Sequence, residues 1–419
     1  MKILQLCNKP PFPPVDGGTL AMHRITEGLL AAGHEVKVLA VSTDKHPFRA
    51  DAIDEEYRQK TRVESVYIDL KVKPVDAGVA LLCGDSYNVK RYESRAMERR
   101  IAQLLEEESF DVVQVESIFL TPYVPVIRSR SDASIVLRAH NVEHQIWRQN
   151  ALQLRPSMKR WYMKKLALAL RMYELEHIND FDAVACISPL DADYFKNNGC
   201  RRPMAVVPFA VDLQDEVLET EIEKGSVYHL GAMDWIPNVD SVRWLLDEVW
   251  PRVAEKSPGA KLYLAGRSMP DELLQRCSTN VIVEGEVVDA HEYMRGKQIN
   301  IVPLLSGSGI RVKIVEAMSM GQCVVSTTVG ANGIDYTDGE NILIADTPDE
   351  MARQLKRCFD DPTLPRRIGQ AGRRLVEQHY SNAVLTQRLV QLYERIIPPV
   401  DAIKATTYRY GEQNALNIT

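Results

Sequence analysis

Arg311, Lys313 and Glu316 follow closely on a Gly-Ser-Gly turn, Gly307 to Gly309, in the stretch LLSGSGIRVKIVEAMSMG. An apolar, strand-like run from Ile299 to Leu305 leads into the turn, and a helical pattern leads out of it. Such a unit suits a nucleoside diphosphate. Glycines let the backbone approach phosphates, amide dipoles at a helix start favour negative charge, and fixed cations neutralise the remainder. Glu316 can accept hydrogen bonds from ribose or sugar hydroxyls. Ser308, Gly309 and Ile310, in and beside the turn, are candidate substrate contacts, Ser308 through a hydroxyl that can donate or accept. The competing reading is an exposed helix whose Lys313–Glu316 pair contributes only a few tenths of a kcal/mol. Ile310, Ile314 and Ala317 at apolar spacing would be its core face. The spacing puts both cations in the first helical turn, where the helix dipole disfavours them unless an anion is present, and this favours the phosphate reading.

Further candidates lie where loops follow apolar runs. Gly17 and Gly18 follow the first strand and would allow close approach of a ligand. His140, Asn141 and Glu143 follow the run Ile135–Ala139. His140, at the carboxyl end of a strand amid other polar groups, is either a structural histidine or a ligand contact, Asn141 is a hydrogen-bonding group, and Glu143 is either an acceptor-side base or a helix-capping carboxylate. In the second half, Asp234, Trp235 and Asn238 follow the run Val227–Gly231. Trp235 could stack on a base or pack in the core, and Asn238 is read as the cap of a helix beginning near Val239. Arg267 ends another strand, within reach of phosphate or base. One Asp-x-Asp, Asp191-Ala192-Asp193, opens a short helix, where the dipole alone favours carboxylates; no metal site is assigned.

Strands must position these groups, and the chain is written as alternating strands and helices, twice over. Apolar runs at Ile3–Leu6, Glu35–Ala40, Val63–Asp69, Val112–Val115, Ile135–Ala139, Ala183–Ile187 and Met204–Val207 fill the first half. Runs at Val227–Gly231, Lys261–Ala265, Asn280–Glu284, Gln298–Pro303, Cys323–Thr327 and Asn341–Ile344 fill the second. The alternation predicts two Rossmann-like α/β domains with parallel sheets. Residues 1–212 form the first, an acidic linker spans 213–225, residues 226–395 form the second, and a tail over 396–419 could pack back on the first. In 419 residues, 45% hydrophobic and 26% charged, nothing departs from globular composition. A net charge of −6 gives no reason to expect nucleic-acid binding. Seven scattered cysteines without a Cys-x-x-Cys pair suggest a reducing cytoplasm. The segment Arg155 to Arg171, basic and carrying Trp161, Tyr162 and Met163, is either a solvated helix over the first sheet or a peripheral contact with an anionic membrane face.

These features resemble the GT-B glycosyltransferases, and within them the retaining family four, glycosyltransferase group 1. The resemblance spans nearly the whole chain. It rests on Gly17-Gly18, on LLAAGHEV from Leu29 to Val36, on VPFAVD from Val207 to Asp212, on EAMSMG from Glu316 to Gly321, and on the Gly369–Arg373 and His379-Tyr380-Ser381 segments. The family usually shows a Glu, seven residues, then a second Glu; here Ser308 stands at the first position and Glu316 at the second. The Arg and Lys usual after the first strand of the second domain are replaced by GAMDWIPN, Gly231 to Asn238. Arg311 and Lys313 would then take over the missing cations.

The resemblance implies sugar transfer from a nucleotide diphosphate sugar to a carbohydrate, lipid-linked or protein hydroxyl, with retention of configuration. It implies a cleft between facing domains, and no cofactor or metal beyond the donor substrate. Gly17, Gly18 and His140 would meet the donor from the first domain. Work in polysaccharide or glycoconjugate synthesis, in the cytoplasm or peripherally at the inner membrane face, is the expectation. A GT-B chain that binds a nucleotide sugar or a partner without transfer is the alternative, and Ser308 is its best support. An NAD-linked dehydrogenase fits poorly, because the first loop lacks Gly-x-Gly-x-x-Gly.

Overall fold

The computed structural model describes residues 1–211, 222–307 and 310–398, and these divide into two α/β units. Met1–Ile187, Asp191–Val207 and the described chain from Thr386 onward form the first. Ser188–Leu190 and the described residues between Pro208 and Leu385 form the second.

Seven parallel strands build the first unit: β1 (Lys2–Cys7), β2 (Glu35–Ser42), β3 (Glu64–Tyr67), β4 (Val112–Glu116), β5 (Ser134–Ala139), β6 (Ala183–Cys186) and β7 (Met204–Val206). Their order is β3-β2-β1-β4-β5-β6-β7. Direction of winding therefore reverses between β1 and β4, and ligands in open parallel sheets bind beyond the carboxyl ends at such a point. Leu4, Leu39, Val113, Ile135 and Val184 join Met97 and Ile101 of a covering helix in one core. Burial on both faces is why these strands read as near-continuous apolar runs.

The second sheet has six parallel strands: β8 (Glu223–Leu230), β9 (Lys261–Ala265), β10 (Val281–Gly285), β11 (Lys297–Val302), β12 (Cys323–Ser326) and β13 (Leu343–Ile344). Its order, β10-β9-β8-β11-β12-β13, places the reversal between β8 and β11. Two-sided Rossmann-like architecture is thus present in both units.

Several expectations change in detail. Glu223–Gly225, read as linker, are the first residues of β8. The charge on Glu223 does not keep it out of the sheet, because it accepts hydrogen bonds from Lys261 Nζ at 2.8 Å and Tyr263 Oη at 2.6 Å. The rest of the linker up to residue 221 lies outside the described residues, as do Ser308, Gly309 and the tail from 399. The last helix, Asn382–Ile396, does not end with the second unit: from Thr386 on it belongs to the first, where Tyr393 Oη hydrogen-bonds Gln114 Oε1. The helix expected over Val239–Val249 begins earlier, as Ile236–Trp244. It continues through a widened turn, Leu245–Val249, into Trp250–Lys256. Pro251, which has no N–H to give, explains the widening at that joint. Periodicity singles out no helix at Pro74–Cys83, yet one forms, and the helix that Glu143 is expected to cap is Glu143–Gln153. Among the described residues no helix is long and apolar enough to cross a membrane.

Candidate functional site

In the second unit the candidate residues gather at the carboxyl ends of β8 and β11, on either side of the winding reversal. Gly231 follows β8 and Gly266 follows β9. A Cβ on Gly266, at φ +154°, would overlap the Gly231 carbonyl oxygen, so only glycine lets the two chain ends pack this closely. The Gly231 N–H donates to the Ala265 carbonyl at 3.0 Å. Gly231 has its own reason to lack a side chain: a Cβ there would stand 2.8 Å from Lys313 Nζ and 2.9 Å from Asn238 Nδ2.

Lys313 reaches this corner from the helix Val312–Ser319 and donates to Asn238 Oδ1 at 3.0 Å. Asn238 in turn donates to the Ala232 carbonyl at 2.8 Å, which fixes its amide orientation. Burial, and then the neighbouring Arg311, push the Lys313 amine down to about 7, with Glu316 pulling it back part of the way. Arg311 is buried and brought down to about 10 by that burial. Its guanidinium carbon lies 5.1 Å from the centre of the Trp235 ring. Gly307 closes over both: a Cβ there would come within 2.7 Å of Arg311 Nη2 and 2.8 Å of Trp235 Cζ2.

This arrangement corrects three expectations. Arg311 is not in the first helical turn; it is the extended residue before the helix, at φ −87° and ψ 96°, while Lys313 is the second helical residue. Asn238 is no cap: the helix Ile236–Trp244 is preceded by Trp235 without a side-chain capping bond, and the Asn238 side chain points back to Ala232 and across to Lys313. Ile310 has its side chain buried in the core, packed so tightly against Gly333 that a Cβ there would stand 2.8 Å away. Glu316 is half-buried on the same helix as Lys313. Asp234 and Arg267 pair with each other at 3.4 Å, both half exposed, at the rim of this corner.

In the first unit, Asp16 caps the helix Gly17–Ala31 through a capping box with Thr19. Both Asp16 oxygens accept from Lys9 Nζ at 2.7 Å. Burial works to raise the Asp16 carboxyl, but Lys9 and the Thr19 N–H outweigh it and hold it below the usual range. Lys9, unremarked in the sequence, covers Gly18: a Cβ on Gly18 would lie 3.0 Å from its amine, while Gly17 has open space around it.

His140 follows β5, and its Nε2 lies 2.7 Å from Glu116 Oε2. Glu116 is completely buried at the end of β4. Its other oxygen accepts from Gln5 Nε2 at 2.8 Å and from Gln114 Nε2. The Arg138 guanidinium is also completely buried, with Nε 3.6 Å from Glu116 Oε2 and no hydrogen-bond partner of its own. Burial alone would raise the Glu116 carboxyl; His140, Arg138 and Gln5 together hold it below its ordinary value. Sequence reasoning missed Glu116 as the group that orients His140. The available signal was polar: Gln5, Gln114, Glu116 and Arg138 interrupt strands otherwise apolar.

Asn141 Nδ2 donates to Glu143 Oε1 at 3.5 Å. Glu143 opens the helix Glu143–Gln153 but does not cap it; its own N–H is accepted by Glu174 Oε1 at 3.1 Å. Burial, then the Glu174 carboxylate, push the Glu143 carboxyl up to about 7, against the pull of Asn141 and Lys9. Asp191 and Asp193 lie in the helix Pro189–Asn197, Asp191 in its first turn. Among the described residues no three His, Cys, Asp or Glu side chains gather as a metal site.

Two family models match this chain. One, Glycosyltransferase Family 4, covers residues 15–215, and the other, Glycosyl transferases group 1, covers residues 224–361. A protein of the cps region of Klebsiella pneumoniae, described only by its 44.6 kDa mass, is 24% identical over 84% of this chain and 90% of its own. A phosphatidyl-myo-inositol mannosyltransferase of Mycolicibacterium smegmatis is 27% identical over 35% of this chain and 39% of its own. Among solved structures, Anabaena HepE in complex with UDP superposes at a TM-score of 0.65, with 15% identity, over 94% of this chain and 100% of that one. Sucrose-phosphate synthase of Thermosynechococcus elongatus gives 0.66, with 16% identity, over 94% and 99%. Likenesses at this identity establish the fold.

Proposed function

Because the chain belongs to the group 1 glycosyltransferases of the GT-B fold, we propose that it moves a hexose-like sugar from a nucleoside diphosphate sugar to a hydroxyl acceptor with retention of configuration. The observation that carries this reading is the Lys313 corner. A desolvated amine, held by Asn238 beside a glycine and crowded by a second cation, sits at the start of a helix. A bound diphosphate would restore full charge to that amine. As the bond from sugar carbon to diphosphate oxygen breaks and the acceptor oxygen bonds to that carbon, negative charge grows on the departing diphosphate. Lys313, Arg311 and the helix amides stabilise it in place, an electrostatic contribution that needs no reorganisation at the moment of reaction. Glu316 holds the ribose or orients Lys313. Gly309 and the Ile310 backbone contact the donor, and Asp234 and Arg267 border the nucleotide.

On the first unit, Gly17 and Gly18 approach the donor and His140 contacts the transferred sugar, oriented by Glu116. Glu143, brought up to about 7, takes the acceptor proton, and Asn141 holds it. Since protein cations supply the counter-charge, transfer proceeds without a resident metal and survives EDTA; complete loss would overturn that part. The acceptor is a carbohydrate, lipid-linked or protein hydroxyl in polysaccharide or glycoconjugate synthesis. A lipid-linked acceptor would be met at the inner membrane face, through residues 155–171. Ser308, where the family usually carries Glu, supports a second reading, binding without transfer; a binder releases no nucleoside diphosphate with any acceptor.

The test is a thermal-shift panel of UDP-, GDP-, ADP- and dTDP-sugars on wild type and Lys313→Ala, because ligand that binds the folded state raises its melting point. One base should stabilise wild type and leave the variant unmoved. Equal stabilisation of both would remove Lys313 from the donor site.

A further inference from the structure

The helix Pro74–Cys83 is built inside out. It turns its small residues inward: Ala77 and Ala80 are buried in one cluster with Tyr87 and Leu166, with Trp147, Tyr162 and Met163 packed against it. Apart from the half-buried Leu81, its large apolar residues face water instead. Val72, just ahead of it, and Val75, Val79 and Leu82 recur at spacings of three, four and three, and Val75 and Leu82 are 76% and 88% exposed. An amphipathic helix that only had to cover a sheet would present the opposite face.

The helix that shares this cluster, Met158–His177, repeats the pattern. Leu166, Ala167, Leu170 and Glu174 are its buried side. Met158, Trp161, Lys165, Leu168 and Met172 form an exposed stripe at alternating spacings of three and four, with Met158 78% and Met172 61% exposed. Lys165 Nζ lies 6.0 Å from the Trp161 ring centre. Single exposed apolar residues need no explanation, but two ordered stripes on neighbouring helices do. Charge selects the occupant. Residues 155–171 carry six Lys and Arg and no Asp or Glu, in a chain whose net charge is −6. A second copy of the chain would set this basic face against itself, whereas an anionic bilayer complements it.

We infer that Pro74–Cys83 and Met158–His177 together form one docking face for an anionic membrane surface, with apolar stripes entering the headgroup boundary and Lys159, Lys164, Lys165 and Arg171 neutralising lipid phosphates and carboxylates. The inference deepens the proposed contact through residues 155–171 by adding a second helix and naming the lipid charge. It does not depend on the sugar chemistry, since vesicle binding is read without donor or acceptor.

The experiment is co-sedimentation of the full chain with phosphatidylcholine vesicles containing or lacking phosphatidylserine. Wild type should pellet only with the anionic vesicles, and retention should fall with added salt. Val75→Glu with Leu82→Glu should lower partition roughly ten-fold or more, as should Met158→Glu with Trp161→Glu. Lys164→Gln and Lys165→Gln should each lower it about five-fold. All these side chains are exposed, so melting temperature and nucleotide-sugar stabilisation should stay as in wild type. Serine at positions 75 and 82 repeats the test without new charge. Wild-type retention that is undiminished in the Val75/Leu82 variants would overturn the two-helix face and leave the single-helix contact standing. No wild-type retention on anionic vesicles would overturn both. Self-association lost in the same variants, without vesicle retention, would assign the face to a second copy.

Discussion

Both units bury cations at the carboxyl ends of their strands, and they balance them differently. In the first, Arg138 lies against Glu116, and the carboxylate also holds His140, Gln5 and Gln114. In the second, Lys313 has a neutral amide at 3.0 Å, a guanidinium for a neighbour and only a partial counter-pull from Glu316, and burial still drives it toward neutrality. A buried charge answered on the spot fixes structure, here the orientation of His140. A buried amine held short of full charge stores a preference for an anion.

The contrast breaks most severely at Glu116. Glu116→Leu leaves the Arg138 guanidinium buried with no counter-charge, which should cost about 3–5 kcal/mol. Chemical denaturation reads the loss. Replacing both partners, Glu116→Leu with Arg138→Met, should recover most of it. A double variant as unstable as the single would show that the pair is not the unit of balance.

Next in size is Lys313→Ala, expected to lower kcat/KM about 100-fold or more, on the order of 3 kcal/mol. Its titration sharpens the same point. With its folded value near 7 and the ordinary value 10.5, Lys313 binds fewer protons in the folded than in the unfolded state between those limits. Its contribution to stability therefore rises with pH across that window. Nucleoside diphosphate, by restoring the proton, should flatten the rise. Melting temperatures of wild type minus Lys313→Met, from neutral to alkaline pH with and without ligand, check the sign. A difference that falls with pH in the apo protein would contradict the assignment.

How much of this was legible in the sequence follows from where each piece of information lies. Strands buried on both faces read as unbroken apolar runs, so Lys261–Ala265 was placed to the residue and most others within two or three. The helix start and the cations beside it were legible because they are neighbours in the chain, while of the Gly-Ser-Gly turn only Gly307 is among the described residues. The partners of those cations were not. Asn238 looks like a cap from its local context, and only the approach of Lys313, 75 residues on, turns its amide elsewhere. Glu116 pairs with Arg138 and His140 across adjacent strands, a register that no local pattern encodes. The helix Pro74–Cys83 escaped notice because periodicity arguments assume that large apolar residues face inward.

Gly231→Ala probes the second unit's side of the comparison more gently. The new methyl would meet the ends of two side chains, Lys313 and Asn238, rather than backbone. The fold should accommodate it while the amine moves. Donor affinity should fall about ten-fold, near 1.4 kcal/mol, with an unchanged melting temperature for the apo protein. Asn238→Ala should match it, since both release the amine from its place. Wild-type affinity in both would mean that Lys313 finds the diphosphate without being held.

The smallest effect belongs to Trp235. Its ring lies over the Arg311 guanidinium and is 37% exposed, so the cation–π contact is only partly desolvated. Trp235→Leu should therefore weaken donor binding by about 0.5–1 kcal/mol, a factor of two to five in Kd. Trp235→Phe should restore much of it, because the ring face rather than the indole N–H does the work. Titration calorimetry with the stabilising nucleotide resolves a change of this size. If the ring instead stacked on the base, Trp235→Leu would cost more with a purine than with a pyrimidine nucleotide. A loss independent of the base would place the ring's action on Arg311, and through it on the diphosphate.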